Sequence, residues 1–181
     1  KMFIFNNKLN VFISLIFMLT VLLQSFLVAS APKPVIGWLE HVLIDEVALR
    51  IEAKIDTGAD TSSINARVID TYMSNDDEWI RFEVSNNHGD EHVLEKKIQR
   101  YANIKRKRST SLKRPVVLLG VCLGGIYREV EVNLADRSNF EYQMLIGRNY
   151  LRGIYVVDSQ ITHTSETTCK SRSATSIDVS E

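Results

Sequence analysis

The chain lacks the signatures of the commoner metal- and nucleotide-dependent enzymes. Its 181 residues contain no His-Glu-x-x-His and no Gly-x-x-x-x-Gly-Lys. The first absence removes the helix-borne ligand pair of many zinc peptidases, and the second removes the glycine-rich loop that cradles phosphates. Neither sign of charge dominates: 22 Lys and Arg balance 22 Asp and Glu, so no net field draws in nucleic acid or anionic lipid. Cysteine is scarce, with only Cys122 and Cys169. Cys122 lies in an apolar strand without a pattern that would activate a thiol, which argues against a Cys–His nucleophile. Exported, the pair could oxidise to one disulfide; the favoured reading is a buried free thiol at Cys122 and a mobile Cys169 in a polar tail. The histidines are His41, His88, His92 and His163. His88 and His92 have a helical ligand spacing, but Gly89-Asp90 between them points to a hairpin turn. No metal and no cofactor is expected.

The N-terminus is of a different character from the rest. Lys1 and Lys8 precede an apolar run from Val11 to Leu27, and Ala29-Ser30-Ala31 follows as a small-residue cleavage pattern. Residues 1–31 read as a secretory signal peptide. Left uncleaved, the run is nearly long enough to anchor the chain in a bilayer, which is the one membrane contact foreseen. No cysteine follows it, so there is no lipoprotein signal. The expected location is the periplasm or cell envelope. Without residues 1–31 the chain carries 20 basic and 22 acidic residues, too slight a bias to imply nucleic acid.

From Val35 the pattern is one of short strands. Leu49, Ile51, Ala53 and Ile55 alternate with Arg50, Glu52 and Lys54, the period of a half-buried strand. Further strands are expected at Val35–Ile44, Ile64–Ile69, Trp79–Val84, His92–Leu94, Pro115–Leu123, Ile126–Leu134, Gln143–Ile146 and Gly153–Asp158. Asn86–Asp90 and Gly124-Gly125 supply turns. Nine basic residues crowd Lys96–Arg114; they read as a solvated loop or as a patch near a cleft that favours acidic substrates. The stretch from residue 161 to 181 is Ser/Thr-rich and lacks apolar periodicity, the composition of a disordered tail. The class is all-β, a small closed β-barrel with one short helical turn at Arg148–Leu151.

Two motifs carry chemistry. Ile55-Asp56-Thr57-Gly58-Ala59-Asp60 puts a carboxylate at the end of an apolar strand, and Met144-Leu145-Ile146 runs into Gly147-Arg148-Asn149. In this order and at this separation they resemble the retropepsins, the retroviral-type aspartic proteases. The resemblance spans Val35 to about Asp158. With Gly120–Gly125 and Asn133–Arg137 it points to a bacterial branch that long bore the name ATP-dependent zinc protease, although neither ATP nor zinc finds support in the sequence. The middle segment is longer and more charged than in the viral enzymes, which leaves the position of the flap open.

The resemblance implies a mechanism without a covalent intermediate. Two carboxylates share one proton, and one activates a water while the other polarises the scissile carbonyl. Asp56 is the catalytic candidate. Thr57, Gly58 and Ala59 form the active-site loop: Thr57 bonds the opposite loop and Gly58 lets the backbone approach the dyad. Ala59 stands where pepsin-like enzymes have a hydroxyl residue. Asp60 lines the substrate cleft and pairs with Arg148. Only one Asp-Thr-Gly is present, so the dyad would need a second copy of the chain, in a homodimer that the polar tail would leave weak. The expected function is an exported aspartic endopeptidase of residues 32–160 acting on peptides or proteins. The rival is an inactive peptide-binding module of the same fold.

Overall fold

The structure, a computed structural model, describes residues 11–14, 17, 32–106 and 109–169. The signal peptide expected over residues 1–31 falls almost wholly outside them, as does the tail from residue 170. The strands all belong to the unit that begins at Lys33.

Strand β1 (Val35–Ile44) leads through a short 3-10 turn into β2 (Leu49–Ile55). The alternation read from β2 holds: Leu49, Ile51, Ala53 and Ile55 are buried while Arg50 and Lys54 are exposed. The strand expected at Ile64–Ile69 is instead two, β3 (Ser62–Asn65) and β4 (Arg67–Ser74). They belong to different sheets, and the switch falls at the buried Ala66. β4, β5 (Asp77–Ser85) and β6 (Glu91–Lys97) form a three-stranded antiparallel sheet. It turns Ile80, Phe82, Val84 and Leu94 into the core.

The basic stretch read as a loop is a hairpin. β7 (Arg100–Arg106) pairs with the long β8 (Ser109–Leu123) from Arg100↔Val116 to Arg106↔Ser109. The strand was hidden because neither face of β7 is fully buried: Tyr101 and Asn103 are exposed, and Ala102 and Ile104 only half-buried. β9 (Ile126–Ala135), β10 (Met144–Ile146), α1 (Arg148–Leu151) and β11 (Val156–Thr162) complete the order. The large sheet runs β11-β1-β2-β10-β3-β9-β8-β7. A further β1–β8 pairing at Leu43↔Cys122 and Ile44↔Val121 joins it back on itself. The all-β expectation is met, with the sheet curled into a ring around Val42, Ile51, Ile64, Leu119, Val132 and Ile146.

The tail from residue 161 is not free of structure as far as it is described. β11 runs parallel to β1, and beyond it Glu40, fully buried on β1, takes hold of the chain. Its carboxylate accepts the Gly37 N–H (2.7 Å), the Thr164 N–H and hydroxyl (3.1 and 2.6 Å) and the Ser165 N–H and hydroxyl (3.1 and 2.8 Å). Cys122 and Cys169 are joined in a disulfide rather than being free thiol and mobile tail. Closing 47 residues of chain contributes about 4 kcal/mol on a chain-entropy account. A buried acid on one strand and the partner of a cysteine are long-range facts that composition could not show.

Burial pushes the Glu40 carboxyl up, but the Thr164, Gly37 and Ser165 donors outweigh it and hold it below the ordinary value. A depressed folded pKa stabilises fully above the unfolded value, about 4.3, and that stabilisation is lost as pH falls through the folded one. Glu40→Gln is expected to cost about 1–3 kcal/mol at neutral pH. It should also remove this component of the acid-side decline, as read by urea unfolding at pH 7 and in mild acid.

Candidate active site

β2 and β10 lie side by side and parallel, with Ile55 opposite Ile146. The Asp56 N–H donates to the Ile146 carbonyl (2.9 Å), so the two motifs leave the sheet at one level. The ninety residues between them hold β3, β7, β8 and β9 of the large sheet and the whole of the three-stranded sheet. Asp56 is half-buried, and one oxygen of its carboxylate accepts the N–H groups of Gly58 (3.0 Å) and Ala59 (3.2 Å). A Cβ on Gly58 would lie 3.2 Å from that same oxygen, so the glycine serves close approach. Thr57, Gly58 and Asp60 are exposed.

Arg148, the first residue of α1, binds the loop as the sequence implied and more broadly. One guanidinium nitrogen donates to the carbonyls of Thr57 and Gly58 (both 2.8 Å), and the other pairs with the Asp60 carboxylate. The backbones are stitched as well: Arg148 N–H to Ala59 C=O (2.9 Å) and Asn149 N–H to Asp60 C=O (3.0 Å). Gly147 is required for this contact. A Cβ there would fall 2.8 Å from the Thr61 carbonyl carbon and 3.0 Å from the Ser62 nitrogen.

Beneath the loop lies a web that sequence reasoning missed. The buried Ser62 donates N–H (3.0 Å) and hydroxyl (2.9 Å) to the Asn149 side-chain oxygen and accepts the Gly147 N–H (3.0 Å). Asn149 donates to the Glu131 carbonyl (2.7 Å), and Asn133 to the Ser62 carbonyl (2.8 Å). Such a web fixes the loop because leaving any buried member unpaired costs more than its bond contributes. The available signal was the asparagine after Gly147-Arg148, an amide with both donor and acceptor.

The surroundings are rich in arginine. Asp60, Arg128, Arg148, Asn149 and Arg152 line a cavity of about 340 Å³. Arg100, at the base of the β7–β8 hairpin, holds Glu131 through two nitrogens and donates to the Thr61 hydroxyl (3.3 Å). The basic hairpin therefore springs from beside the active-site loop. Burial, and then the neighbouring Arg114, press the Arg137 guanidinium below its ordinary value, while Asp56 acts in the opposite sense. A larger cavity, about 660 Å³, lies elsewhere, between Asn65, Glu83, Arg114 and Asp136, and Asp56 is not in its wall. His88 sits on the turn before β6 and His92 within β6, where no helix brings them into ligand register.

A serine at position 59 would set a hydroxyl beside the Asp56 carboxylate. An added donor favours the ionised form, so Ala59→Ser is expected to move the pH optimum of any Asp56-dependent cleavage to lower pH. A pH–rate profile reads the direction, and a shift upward would contradict the assignment of this carboxylate.

Residues 35–168 match the family model described as RimB-like, retropepsin-like aspartic endopeptidase RimB. A probable alpha-L-glutamate ligase of Shewanella pealeana is 34% identical over 111 residues, which is 60% of this chain and 24% of that protein. One of Desulfotalea psychrophila is 30% identical over 135 residues, 70% of this chain and 28% of that protein. The chain thus spans about a quarter of the length of the curated relatives it matches. A crystal structure of a Legionella pneumophila protein of unknown function superposes with a TM-score of 0.65 at 30% identity, covering 75% of this chain and all of that one.

Proposed function

The chain belongs to the RimB-like family of retropepsin-like aspartic endopeptidases, and on that premise we propose that it hydrolyses peptide bonds in acidic, glutamate-rich chains. The observation that carries this is the pairing of Asp56 with its arginine-held loop: a half-buried carboxylate cradled by two N–H groups, followed by Asp60 and Thr61, which lie among Arg100, Arg128, Arg148 and Arg152. Two Asp56 carboxylates, one from each copy, share a proton. The ionised one takes a proton from water as its oxygen attacks the scissile carbonyl carbon. The protonated one donates to the carbonyl oxygen. Collapse of the tetrahedral diol returns that proton through the dyad to the leaving nitrogen and breaks the C–N bond.

The acidic substrate rests on charge. An anionic peptide gains from the positive field of this cluster, in which Arg100 and Arg148 already hold Glu131 and Asp60 and Arg128 and Arg152 share the cavity wall, and relatives that carry this segment within a longer chain are named for glutamate ligation. The apolar N-terminal run supports export to the envelope. One catalytic carboxylate per chain is also what a peptide-binding module would show if the chain stayed single. Cleavage of a glutamate-rich peptide and its lysine-rich counterpart, with and without a statine-type inhibitor, separates these readings. Inhibitor-sensitive cleavage of the acidic peptide is expected; binding without turnover at any pH would favour the module.

A further inference from the structure

On the outer side of the β1–β2 pair, His41 stands directly across from Glu52. Opposite residues of an antiparallel pair share one face. The chain leaving β11 brings a third group to that face. The His163 N–H donates to the Leu39 carbonyl (2.8 Å), which fixes the backbone, and the His163 ring turns back over β1. Its ring stacks on His41 at 4.5 Å between centroids, and its Nε2 lies 2.9 Å from the Glu52 carboxylate. One ring nitrogen from each histidine and one oxygen of the carboxylate all fall within 4.8 Å of one another. His163 holds φ +51°, a left-handed conformation that a non-glycine residue adopts at a cost. That backbone aims the ring at His41 and Glu52 instead of along the strand. Glu52 and His41 also open onto a cavity of about 350 Å³ whose far wall is Asn86 and His88.

We propose that His41, Glu52 and His163 form a binding site for a divalent transition-metal ion, with zinc the best match. Two imidazoles and a carboxylate are a donor set that zinc takes at about 2.0–2.2 Å, and imidazole also suits copper and nickel. Small rotations of exposed or half-buried side chains bring the three atoms to the separations such bonds need. The cavity leaves room for water in the remaining position. Arg50 shares the cavity wall, a cation that the ion must tolerate there. Glu52 lies about 13 Å up β2 from Asp56, so the site has no part in the peptide chemistry. Its effect is mechanical. The ion ties the exit of β11 to β1 and β2, beside the Glu40 clasp on the other face of β1 and ahead of the disulfide. Nothing in the sequence pattern marks this site, because its ligands come from three separated segments and not from the His88–His92 spacing.

The test is titration of the metal-free, oxidised full chain with zinc alone, in competition with a chromophoric chelator, alongside hydrogen exchange. One zinc per chain is expected, with exchange slowed in residues 162–166. His41→Gln and His163→Asn should each weaken binding at least about tenfold, the scale on which even outer-shell changes act. Asparagine is chosen at 163 because it tolerates the left-handed backbone. His92→Gln should bind zinc unchanged. Asp56→Asn should do so too, so failure of the catalytic reading and failure of this one are told apart. No stoichiometric binding, or binding equally tight in both the His41 and His163 variants, overturns the proposal.

Discussion

Asp56→Asn is expected to lower cleavage of a glutamate-rich peptide at least about 10³-fold, within the range that positioned acid–base groups supply. Asparagine has the same shape and keeps an oxygen to accept the Gly58 and Ala59 N–H groups. Asp56 itself is half-buried and is not part of the core. The melting temperature should therefore stay within a few degrees of the parent's. What asparagine lacks is a carboxylate to take a proton from water or to hold the shared one. Rate loss without stability loss is the signature of a group that acts in the chemistry; undiminished cleavage would place the reacting group elsewhere.

Arg148→Leu carries the second large effect. The guanidinium joins the Thr57 and Gly58 carbonyls and the Asp60 carboxylate in one planar fork. Leucine offers none of these bonds, and lysine, a point charge on a flexible stem, cannot make all three at once. The side chain is partly exposed, so water takes over some of the freed carbonyls and the fold survives. The loop, however, loses the restraint that sets where Asp56 points. An error of about 1 Å in such a position costs about 10²-fold in rate, and that is the fall expected in kcat, with Arg148→Lys intermediate. Steady-state kinetics beside a thermal melt reads both. A loss of stability with kcat intact would make Arg148 a structural tie only.

Elements that bury one face were legible in the sequence, and polar partners brought together by topology were not. β2 declared itself because one face is core and the other solvent, and Asp56 falls at its end. The Gly147–Asn149 turn was legible only through its resemblance to the retropepsin motif that follows Asp-Thr-Gly at this separation; by themselves a glycine and an arginine are ordinary turn residues. β7 was not, since a hairpin arm that buries neither face has no hydrophobic period to read. Ser62, Asn133 and Asn149 were silent as a set: each is an ordinary polar residue until β3, β9 and α1 meet. The same holds for Glu40 with Thr164 and Ser165, and for Cys122 with Cys169.

A dyad that takes one Asp56 from each of two chains can be poisoned by mixing subunits. The parent protein, held at a fixed concentration at which its specific activity no longer rises with concentration, is equilibrated with increasing Asp56→Asn protein, and cleavage of the glutamate-rich peptide is measured. At a ninefold excess of the variant only about one parent chain in ten finds a parent partner in a two-fold dimer. Activity is expected to fall towards about a tenth of its starting value, as random pairing of subunits requires. Activity that stays constant as the variant is added would mean that each chain works alone with a second acid of its own.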